Sequence, residues 1–314
     1  MKFLATLKEG MRISEVYLCK NRQIQITKAG KEYASLVLQD KSGTVDAKIW
    51  DLKSPGINDI NSMDYVAIEA DVTFFNSNLQ LNIRRIRKAD SGEYSMADYI
   101  PVSKYSIDSM YNELKEKIAS VKNIYLNKLL KALFIEDLEL AKRFKFSSAA
   151  KNIHHSFMGG LIEHSLNVAK LCEFYCKSYP IINRDLLITA ALCHDIGKTV
   201  ELSSFPENDY TDEGQLLGHI VIGYDIISKK ADSIEGFPLK LLNELKHCIL
   251  AHHGELEYGS PKKPALIEAL ALSLADNTDA KLETMKGLLE AADENAEWLG
   301  YNRMFESNIR RTVL

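Results

Sequence analysis

The sequence lacks the features that mark several common classes of protein. Its five cysteines are widely spaced and form no Cys-x-x-Cys pair, which indicates buried thiols in a reducing compartment rather than a disulfide framework. No apolar run approaches the roughly 18 residues that a membrane span needs. The apolar stretch within residues 1–9 is too short for a signal peptide. We therefore expect a cytoplasmic protein with no membrane partner.

A strong net charge is also missing, and the first 153 residues contain no histidine. The formal net charge of −4 gives no global sign of nucleic-acid binding, so local patches matter more. The chain has 314 residues, 46% hydrophobic and 26% charged, and is long enough for two globular domains. All eight histidines lie between positions 154 and 253. Core or solvated histidines would scatter, so this clustering indicates a functional site.

The first ninety residues have the pattern of β structure. Strand-like segments cover 16–18 with 23–27, then 33–39, 44–50, 65–70 and 79–86, and residues 40–43 supply a hairpin turn. Five strands with a short connector between the third and the fourth are typical of a small Greek-key barrel. The OB-fold is the commonest barrel of this kind. We predict an all-β OB-fold domain over residues 1–90.

Such a barrel binds nucleic-acid strands by stacking bases on exposed aromatic side chains beside basic ones. The candidate contacts are Tyr33, Trp50, Phe74, Lys28, Lys31, Lys48, Arg84 and Arg85. The alternative is that Trp50 and one of Phe74 and Phe75 are core residues and that the basic side chains form a solvated face. For the domain as a whole, the sequence favours binding of a nucleic-acid strand.

Residues 91–108 have little periodicity and form the predicted linker to an all-α helical bundle over 109–314. Apolar residues at helical spacing predict helices at 110–121, 124–134, 161–177, 185–194, 216–231, 239–252, 265–279 and 281–291. No further β structure is expected after the linker. The fold class is therefore multidomain, with a barrel followed by helices.

Histidine and aspartate recur at the ends or on the apolar faces of five of these helices. The residues are His164, His194, Asp195, His219, His252, His253 and Asp276. A single histidine of this kind is more often a hydrogen-bonded core residue, but a buried aspartate is costly without a partner or a cation. One metal site explains all of them together. Mixed imidazole and carboxylate ligands suit Mn²⁺, Fe²⁺, Co²⁺ or Zn²⁺ better than Mg²⁺.

This order of histidines and aspartates on consecutive helices resembles the HD-domain superfamily of metal-dependent phosphohydrolases. The resemblance makes His164, His194, Asp195 and Asp276 the four signature residues. It gives His219, His252 and His253 to a second metal ion. The subfamily that cleaves cyclic dinucleotides has a Gly-Tyr-Pro motif after its paired histidines. That motif is absent here, which argues against such a substrate.

A barrel followed by an HD domain is similar, end to end, to the YhaM-type 3′→5′ exoribonucleases. Residues 38–43 with 47–51, 153–155 with 159–164, and 193–198 carry the resemblance. It implies metal-dependent hydrolysis of single-stranded RNA, with single-stranded DNA as a second substrate, to nucleoside 5′-monophosphates. Two divalent ions are expected, Mn²⁺ first, with Co²⁺ or Fe²⁺ as alternatives. The competing interpretations are an HD phosphohydrolase of free or cyclic nucleotides and a non-catalytic RNA-binding protein.

Four residues receive chemical roles on this interpretation. Asp195 is expected to bridge the two ions, and Lys198 to stabilise charge on the phosphoryl oxygens. His154 and His155 precede the helix of His164 and are expected to contact the scissile phosphate or to protonate the leaving group. Their alternative is a structural turn. A homo-oligomer is a further expectation.

Overall fold

The computed structural model describes residues 1–27, 29–75, 78–151, 155–294 and 296–312. The chain divides into two compact units. One unit consists of Met1–Val102 with Phe205–Glu207, and the other of Ser103–Ser204 with Asn208–Leu314. Lys28 and His154, which the sequence singles out, lie outside the described residues.

The first unit is a closed five-stranded barrel. Its strands are β1 (Arg12–Ile26), β2 (Glu32–Asp40), β3 (Gly43–Ile49), β4 (Tyr65–Phe75) and β5 (Asn78–Lys88). The strand order is β1-β2-β3-β5-β4, and β4 pairs back with β1. The pair β3–β5 is parallel and the other pairs are antiparallel. This is the topology of an OB-fold, so the predicted fold class is confirmed.

Apolar residues at alternate positions of the strands point into the barrel and form its core. In β2, for example, Ala34, Leu36 and Leu38 point inward and are fully buried. The predicted interruption of the first strand between residues 18 and 23 was wrong, because β1 is continuous. A β-bulge between Cys19 and Asn21 bends this strand, so that its first part pairs with β4 and its second part with β2.

The segment after β5 packs against the barrel, whereas the prediction treated it as a linker. Tyr99 and Ile100 are buried, and the Tyr99 hydroxyl donates to the Val16 carbonyl oxygen at 3.1 Å. The Gln39 side-chain amide donates to the Tyr99 carbonyl oxygen at 3.1 Å. The division between the units therefore falls after Val102, inside the predicted linker 91–108.

The second unit is a helical bundle. The helices are α1 (Ile107–Ser120), α2 (Ile124–Lys131), α3 (Leu138–Phe146), α4 (Gly160–Ser178), α5 (Arg184–Cys193), α6 (Lys198–Glu201), α7 (Asp212–Asp232), α8 (Leu239–Leu250) and α9 (Ile267–Ala291). A π-helical turn, Ala132–Glu136, continues α2. Helix α5 is buried along all its middle and last turns and packs against α4, α8 and α9. Among the described residues, none of the helices is both long and apolar enough to cross a bilayer.

Four local predictions were wrong. Helices α3 and α6 were not predicted. Helix α6 has only four residues, too few to show a helical period, whereas the buried residues Leu140, Ala141 and Phe144 of α3 do have helical spacing and were overlooked. The predicted helices 265–279 and 281–291 form the single helix α9, since nothing at residue 280 interrupts the backbone. Helix α7 begins at Asp212 and breaks at Gly218, which has φ 72° and ψ 155°. The chain also returns to β structure in a hairpin of β6 (Trp298–Asn302) and β7 (Ser307–Arg310).

Candidate metal centre and nucleic-acid surface

Helix α4 carries His164 in its second turn, where the helix is buried on all sides. The helix begins at a close contact between the backbones of Gly160 and His155. A Cβ atom on Gly160 would lie 2.0 Å from the carbonyl oxygen of His155, so only glycine fits at this position. Gly159, with φ 83°, makes the turn that precedes it. Glycine at both positions therefore allows His164 to enter the core.

The first group of metal-ligand atoms lies between α4, the end of α5 and α9. The Nε2 atom of His164 is 3.1 Å from His194 Nε2, 3.1 Å from Asp276 Oδ1 and 3.5 Å from Asp195 Oδ2. The Nε2 atom of His194 is 3.4 Å from the same oxygen of Asp195. Ligands about 2.1 Å from a shared ion lie roughly 3.0–3.4 Å from one another. These four side chains therefore have the spacing of a coordination shell.

The second group faces the other oxygen of the same aspartate. Asp195 Oδ1 lies 3.4 Å from His219 Nε2 and 3.6 Å from His252 Nε2. His253 joins His219 and His252 in a set whose ligand atoms all lie within 4.8 Å of one another. Asp195 thus presents one carboxylate oxygen to each group, which is the arrangement of a bridging ligand.

The five imidazole rings share one orientation, with Nδ1 bound to an acceptor and Nε2 directed to the centre. The pairs are His164 with Asp279 Oδ2 at 2.7 Å, His194 with Ala191 O at 2.8 Å, His219 with Glu201 Oε1 at 3.0 Å, His252 with Ile249 O at 2.6 Å, and His253 with Tyr258 O at 2.7 Å. Carbonyl and ionised carboxylate oxygens only accept, so each Nδ1 carries the proton. Nε2 is therefore the nitrogen of each ring that is left to bind a metal ion, once it carries no proton.

Buried atoms at this centre fit a metal rather than a hydrogen-bonded core. Asp195 Oδ1, His219 Nε2 and His252 Nε2 are buried without a hydrogen-bond partner in the described part of the chain. A buried polar atom left unpaired costs about 1–3 kcal/mol. In the first group, the Nε2 atoms of His164 and His194 face each other at 3.1 Å and need a cation or a proton between them. Divalent ions meet both requirements.

Burial and charge together set the ionisation of the centre. Burial favours protonation of Asp195, but the nearby charges of Lys198 and His194 hold the pKa of this carboxyl well below its usual value. Burial lowers the pKa values of His252 and His253. His164 behaves differently. Burial acts to lower its pKa, but hydrogen bonds to Asp276 and Asp279 outweigh burial and raise the pKa to about 10 in the metal-free chain.

Lys198 and His155, the other described residues with predicted chemical roles, each lie within hydrogen-bond distance of a carboxylate at the centre. The Lys198 ammonium is 2.7 Å from Asp195 Oδ2 and is mostly buried. The side chain of His155 is fully buried, and its Nε2 atom lies 3.0 Å from Asp279 Oδ2. The predicted contacts of Lys198 and His155 with a phosphate stay predictions.

Two carboxylates at the centre were missed in the sequence. Asp279 holds the Nδ1 atom of His164, and its signal is its position one helical turn after Asp276. Glu201 accepts from both the backbone N–H (2.9 Å) and Nδ1 (3.0 Å) of His219. The backbone N–H of His219 is available because α7 restarts after the break at Gly218. Nothing in the spacing of Glu201 identifies it.

The barrel presents the predicted aromatic residues at its surface. Trp50, Phe74 and Phe75 are 49%, 53% and 61% exposed, so the alternative that Trp50 is a core residue was wrong. The Tyr33 and Trp50 rings stack with their centroids 5.0 Å apart. Trp50 Nε1 donates to Asn82 Oδ1 at 3.0 Å, which fixes the plane of the indole. The pair therefore forms a rigid platform of the kind on which bases stack.

Four of the predicted basic residues, Lys31, Lys48, Arg84 and Arg85, are described, and they lie at the barrel surface. Lys48 Nζ donates to Ser35 Oγ at 2.6 Å and lies 5.8 Å from the centre of the Tyr33 ring. The ion pairs are Lys31 with Asp51, Arg84 with Asp71, and Arg85 with Glu69. Exposed pairs contribute about 0–1 kcal/mol, so a phosphate can replace the carboxylate at little cost.

Comparison with known proteins gives the same picture. The model of the HD domain family matches residues 161–281, which contain every ligand of both groups. The 3′-5′ exoribonuclease YhaM of Geobacillus sp. (strain WCH70) is 34% identical over 282 residues, which are 90% of this chain and 86% of that protein. The protein of the same name from Bacillus subtilis (strain 168) is 33% identical over 282 residues, 90% of this chain and 88% of that protein.

Among solved structures, the second OB-fold domain of replication protein A from Methanococcus maripaludis is similar over 29% of this chain and 96% of its own. The sequence identity is 18% and the TM-score 0.22. The match to full-length relatives spans both the barrel and the helical unit. An HD domain with this His/Asp centre depends on divalent metal. The chain belongs to the YhaM family of 3′-5′ exoribonucleases.

Proposed function

We propose that this protein is a metal-dependent 3′→5′ exoribonuclease that removes nucleoside 5′-monophosphates from single-stranded RNA. The observation that carries the proposal is the centre itself. Five imidazoles with Nε2 directed inward surround a single carboxylate, Asp195, whose two oxygens face different ligand groups. The family to which the chain belongs supplies the substrate class. Single-stranded DNA is the proposed second substrate.

Each of the two proposed ions would be held by a different set of residues. His164, His194 and Asp276 would hold one ion, His219, His252 and His253 the other, and Asp195 both. When bound, divalent ions lower the pKa of water and neutralise charge on a phosphoryl group. Mixed nitrogen and oxygen ligation suits Mn²⁺, Fe²⁺, Co²⁺ or Zn²⁺ better than Mg²⁺. The resemblance to the family makes Mn²⁺ the proposed ion, with Co²⁺ or Fe²⁺ as substitutes. Lys198 adds a fixed positive charge next to Asp195, where a phosphate oxygen would carry negative charge.

The proposed reaction is hydrolysis of the last phosphodiester. The oxygen of water forms a bond to phosphorus, and the bond between phosphorus and the 3′-oxygen of the preceding ribose breaks. That 3′-oxygen takes up a proton, and the released nucleotide keeps the 5′-phosphate. The barrel contributes binding rather than chemistry, since stacking on the Tyr33–Trp50 platform raises the local concentration of the strand.

The direct test is hydrolysis of a labelled oligoribonucleotide by the intact chain with Mn²⁺. A 5′-labelled strand should shorten one nucleotide at a time, and a 3′-labelled strand should release labelled 5′-monophosphate from the start. Asp195→Asn should abolish both. Asp225→Asn is the matched control, because Asp225 makes an exposed ion pair with Lys229 at 2.6 Å and should leave activity unchanged.

The competing functions predict other outcomes of the same experiment. Cleavage of mononucleotides or cyclic dinucleotides, but not of RNA, would identify a nucleotide phosphohydrolase. RNA binding with no hydrolysis of any substrate by metal-loaded protein would identify a binding protein. The described cysteines are free thiols, four of them buried, which supports the proposed cytoplasmic location. The homo-oligomer stays a prediction.

A further inference from the structure

Behind the first ligand group, a chain of buried polar side chains ends on His164. The Ser103 hydroxyl donates to Glu163 Oε2 at 2.5 Å, and Glu163 Oε1 lies 3.8 Å from His155 Nδ1. On the other side of the His155 ring, Nε2 is 3.0 Å from Asp279 Oδ2. The same oxygen of Asp279 is 2.7 Å from His164 Nδ1. Four residues of this chain are each at least nine-tenths buried: Glu163, His155, Asp279 and His164.

The two imidazoles bind one carboxylate oxygen, which fixes the direction of the hydrogen bonds. An ionised carboxylate only accepts, so His164 Nδ1 and His155 Nε2 both donate to Asp279. The two hydrogen bonds from buried imidazoles stabilise the ionised form of this carboxylate. Its negative charge makes the Nε2 atom of His164 a stronger electron donor toward an ion. The second hydrogen bond, from His155, holds the carboxylate in place.

We propose that Asp279 and His155 are positioning residues that set the metal affinity of the first ligand group through His164. The inference rests on the proposed metal centre and extends it to residues that contact no ion. It also gives His155 a role different from the predicted contact with phosphate. The side chain of His155 is fully buried and its Nε2 atom is already bound to Asp279, whereas a group that contacts substrate needs an open side.

The test measures metal binding by the intact chain and needs no RNA. Metal-free protein is titrated with Co²⁺, and binding is followed by calorimetry and by the visible absorption of the ion. In the wild-type chain, we expect two ions to bind. In Asp279→Asn, we expect the ion of the first group to bind 10- to 100-fold more weakly. The ion held by His219, His252 and His253 should keep its affinity within about threefold.

Matched variants separate positioning from loss of structure. Glu283→Gln removes a carboxylate one turn further along α9, where it pairs with Lys286 at 2.9 Å, and should leave both affinities unchanged. His155→Phe should weaken the first ion about three- to tenfold, less than Asp279→Asn, because Asp279 stays charged. His155→Gln can again donate to Asp279 and should recover most of the loss.

The outcome also decides between positioning and catalysis. Unchanged affinity for both ions in Asp279→Asn and His155→Phe would overturn the proposal, and so would three bound ions in the wild-type chain. A fall in kcat of His155→Phe at saturating metal with unchanged Co²⁺ affinity would return His155 to a catalytic role. If Asp279→Asn fails to fold, the His155→Phe and His155→Gln pair decides alone. Two bound ions without RNA hydrolysis would contradict the proposed function but not this inference.

Discussion

Gly197 touches the backbone of His219 so closely that a Cβ atom at position 197 would lie 2.0 Å from the His219 carbonyl oxygen. The same Cβ would lie 2.7 Å from the backbone nitrogen of Gly223, on the next turn of α7. This contact brings the segment that follows α5, with His194 and Asp195, against the helix that carries His219. The two ligand groups therefore share one carboxylate because a glycine lets two backbones meet.

We expect Gly197→Ala to separate these segments. The methyl group cannot fit, so the free energy of unfolding should fall by about 1–3 kcal/mol, and metal binding at the second group should weaken with it. Urea unfolding and a Co²⁺ titration measure the two effects. Gly287→Ala is the control, since a Cβ there meets nothing within 4 Å on helix α9 and should stabilise the helix by about 0.5–1 kcal/mol. Equal stability of the two variants would contradict the close contact.

Removing the metal should destabilise the helical unit. Without ions, the buried atoms Asp195 Oδ1, His219 Nε2 and His252 Nε2 have no partner among the described residues. A ligand at 100 times its Kd adds about 2.7 kcal/mol to the stability of the folded state. We therefore expect the melting temperature to fall by several degrees on chelation and to recover with Mn²⁺. A melting temperature that changes with neither chelator nor Mn²⁺ would contradict the proposed metal centre.

The stability of the metal-free chain should decrease from pH 6.5 to pH 10. The pKa of His164 is raised to about 10 in the folded chain, because hydrogen bonds to Asp276 and Asp279 outweigh burial. Its value in an unfolded chain is about 6.5. A raised pKa stabilises the fold fully below the unfolded value, and this contribution is lost as the pH rises toward 10. His252 and His253, whose pKa values are lowered, are neutral throughout this window.

Urea unfolding in chelator at pH 6.5, 7.2 and 8 measures this loss below the range in which unfolded cysteines titrate, and His164→Gln should remove most of the slope there. In the same window, metal binding should become tighter with pH, because the ion displaces the proton of His164. Calorimetry in buffers of different ionisation enthalpy should detect about one proton released for the first ion. No proton release at pH 8 would show that His164 is already neutral without metal.

Replacing Lys198 should separate chemistry from metal binding. The ammonium lies 2.7 Å from Asp195 Oδ2, where it stabilises negative charge but also repels a cation. In Lys198→Met, we expect kcat for RNA to fall about 10²- to 10³-fold, with Co²⁺ affinity equal to wild type or higher. Kinetics at saturating Mn²⁺ together with the Co²⁺ titration give both numbers. A loss of metal affinity with normal kcat would assign Lys198 to holding Asp195 instead.

Trp50→Ala should weaken RNA binding without affecting the chemistry. The stacked Tyr33–Trp50 pair is exposed, and stacking of one base contributes about 1–3 kcal/mol, so Kd for a single strand should rise roughly 5- to 150-fold. Hydrolysis of a small phosphodiester should be unchanged. Phe174→Ala is the control, because Phe174 is 62% exposed on helix α4 and belongs to no platform described in the barrel. Equal effects of the two variants on RNA would remove Trp50 from the interface.

Much of the fold follows from sequence patterns with a physical cause. Alternation of apolar residues and glycine-containing turns predicts the barrel strands, since each strand has one face in the core. The hairpin β6–β7 escapes prediction because its strands have five and four residues, and only Ile309 is buried along β7. The break at Gly218 escapes it too, since a glycine in an apolar helical pattern is equally compatible with a continuous helix.

The predicted metal ligands all lie at one centre because their signal is strong. A buried aspartate is costly without a partner or a cation, and histidine or aspartate on five apolar helices points to one metal site. The sequence does not show which nitrogen or oxygen atom of each of these side chains faces the metal site. That depends on acceptors from other segments, such as Glu201 for His219 and Asp279 for His164. The burial of His155 is equally a product of tertiary packing.

In the proposed two-ion centre, Asp195 would contact both ions, which would make the two ion affinities thermodynamically linked. Occupation of one group changes the affinity of the other by a fixed factor, and the effect is reciprocal. Because both cations would share one negative charge, we expect each ion to weaken the binding of the other, which is negative cooperativity. While both groups are mostly empty, the doubly loaded fraction follows the square of the free metal concentration. Halving the supply then lowers an activity that needs both ions about fourfold.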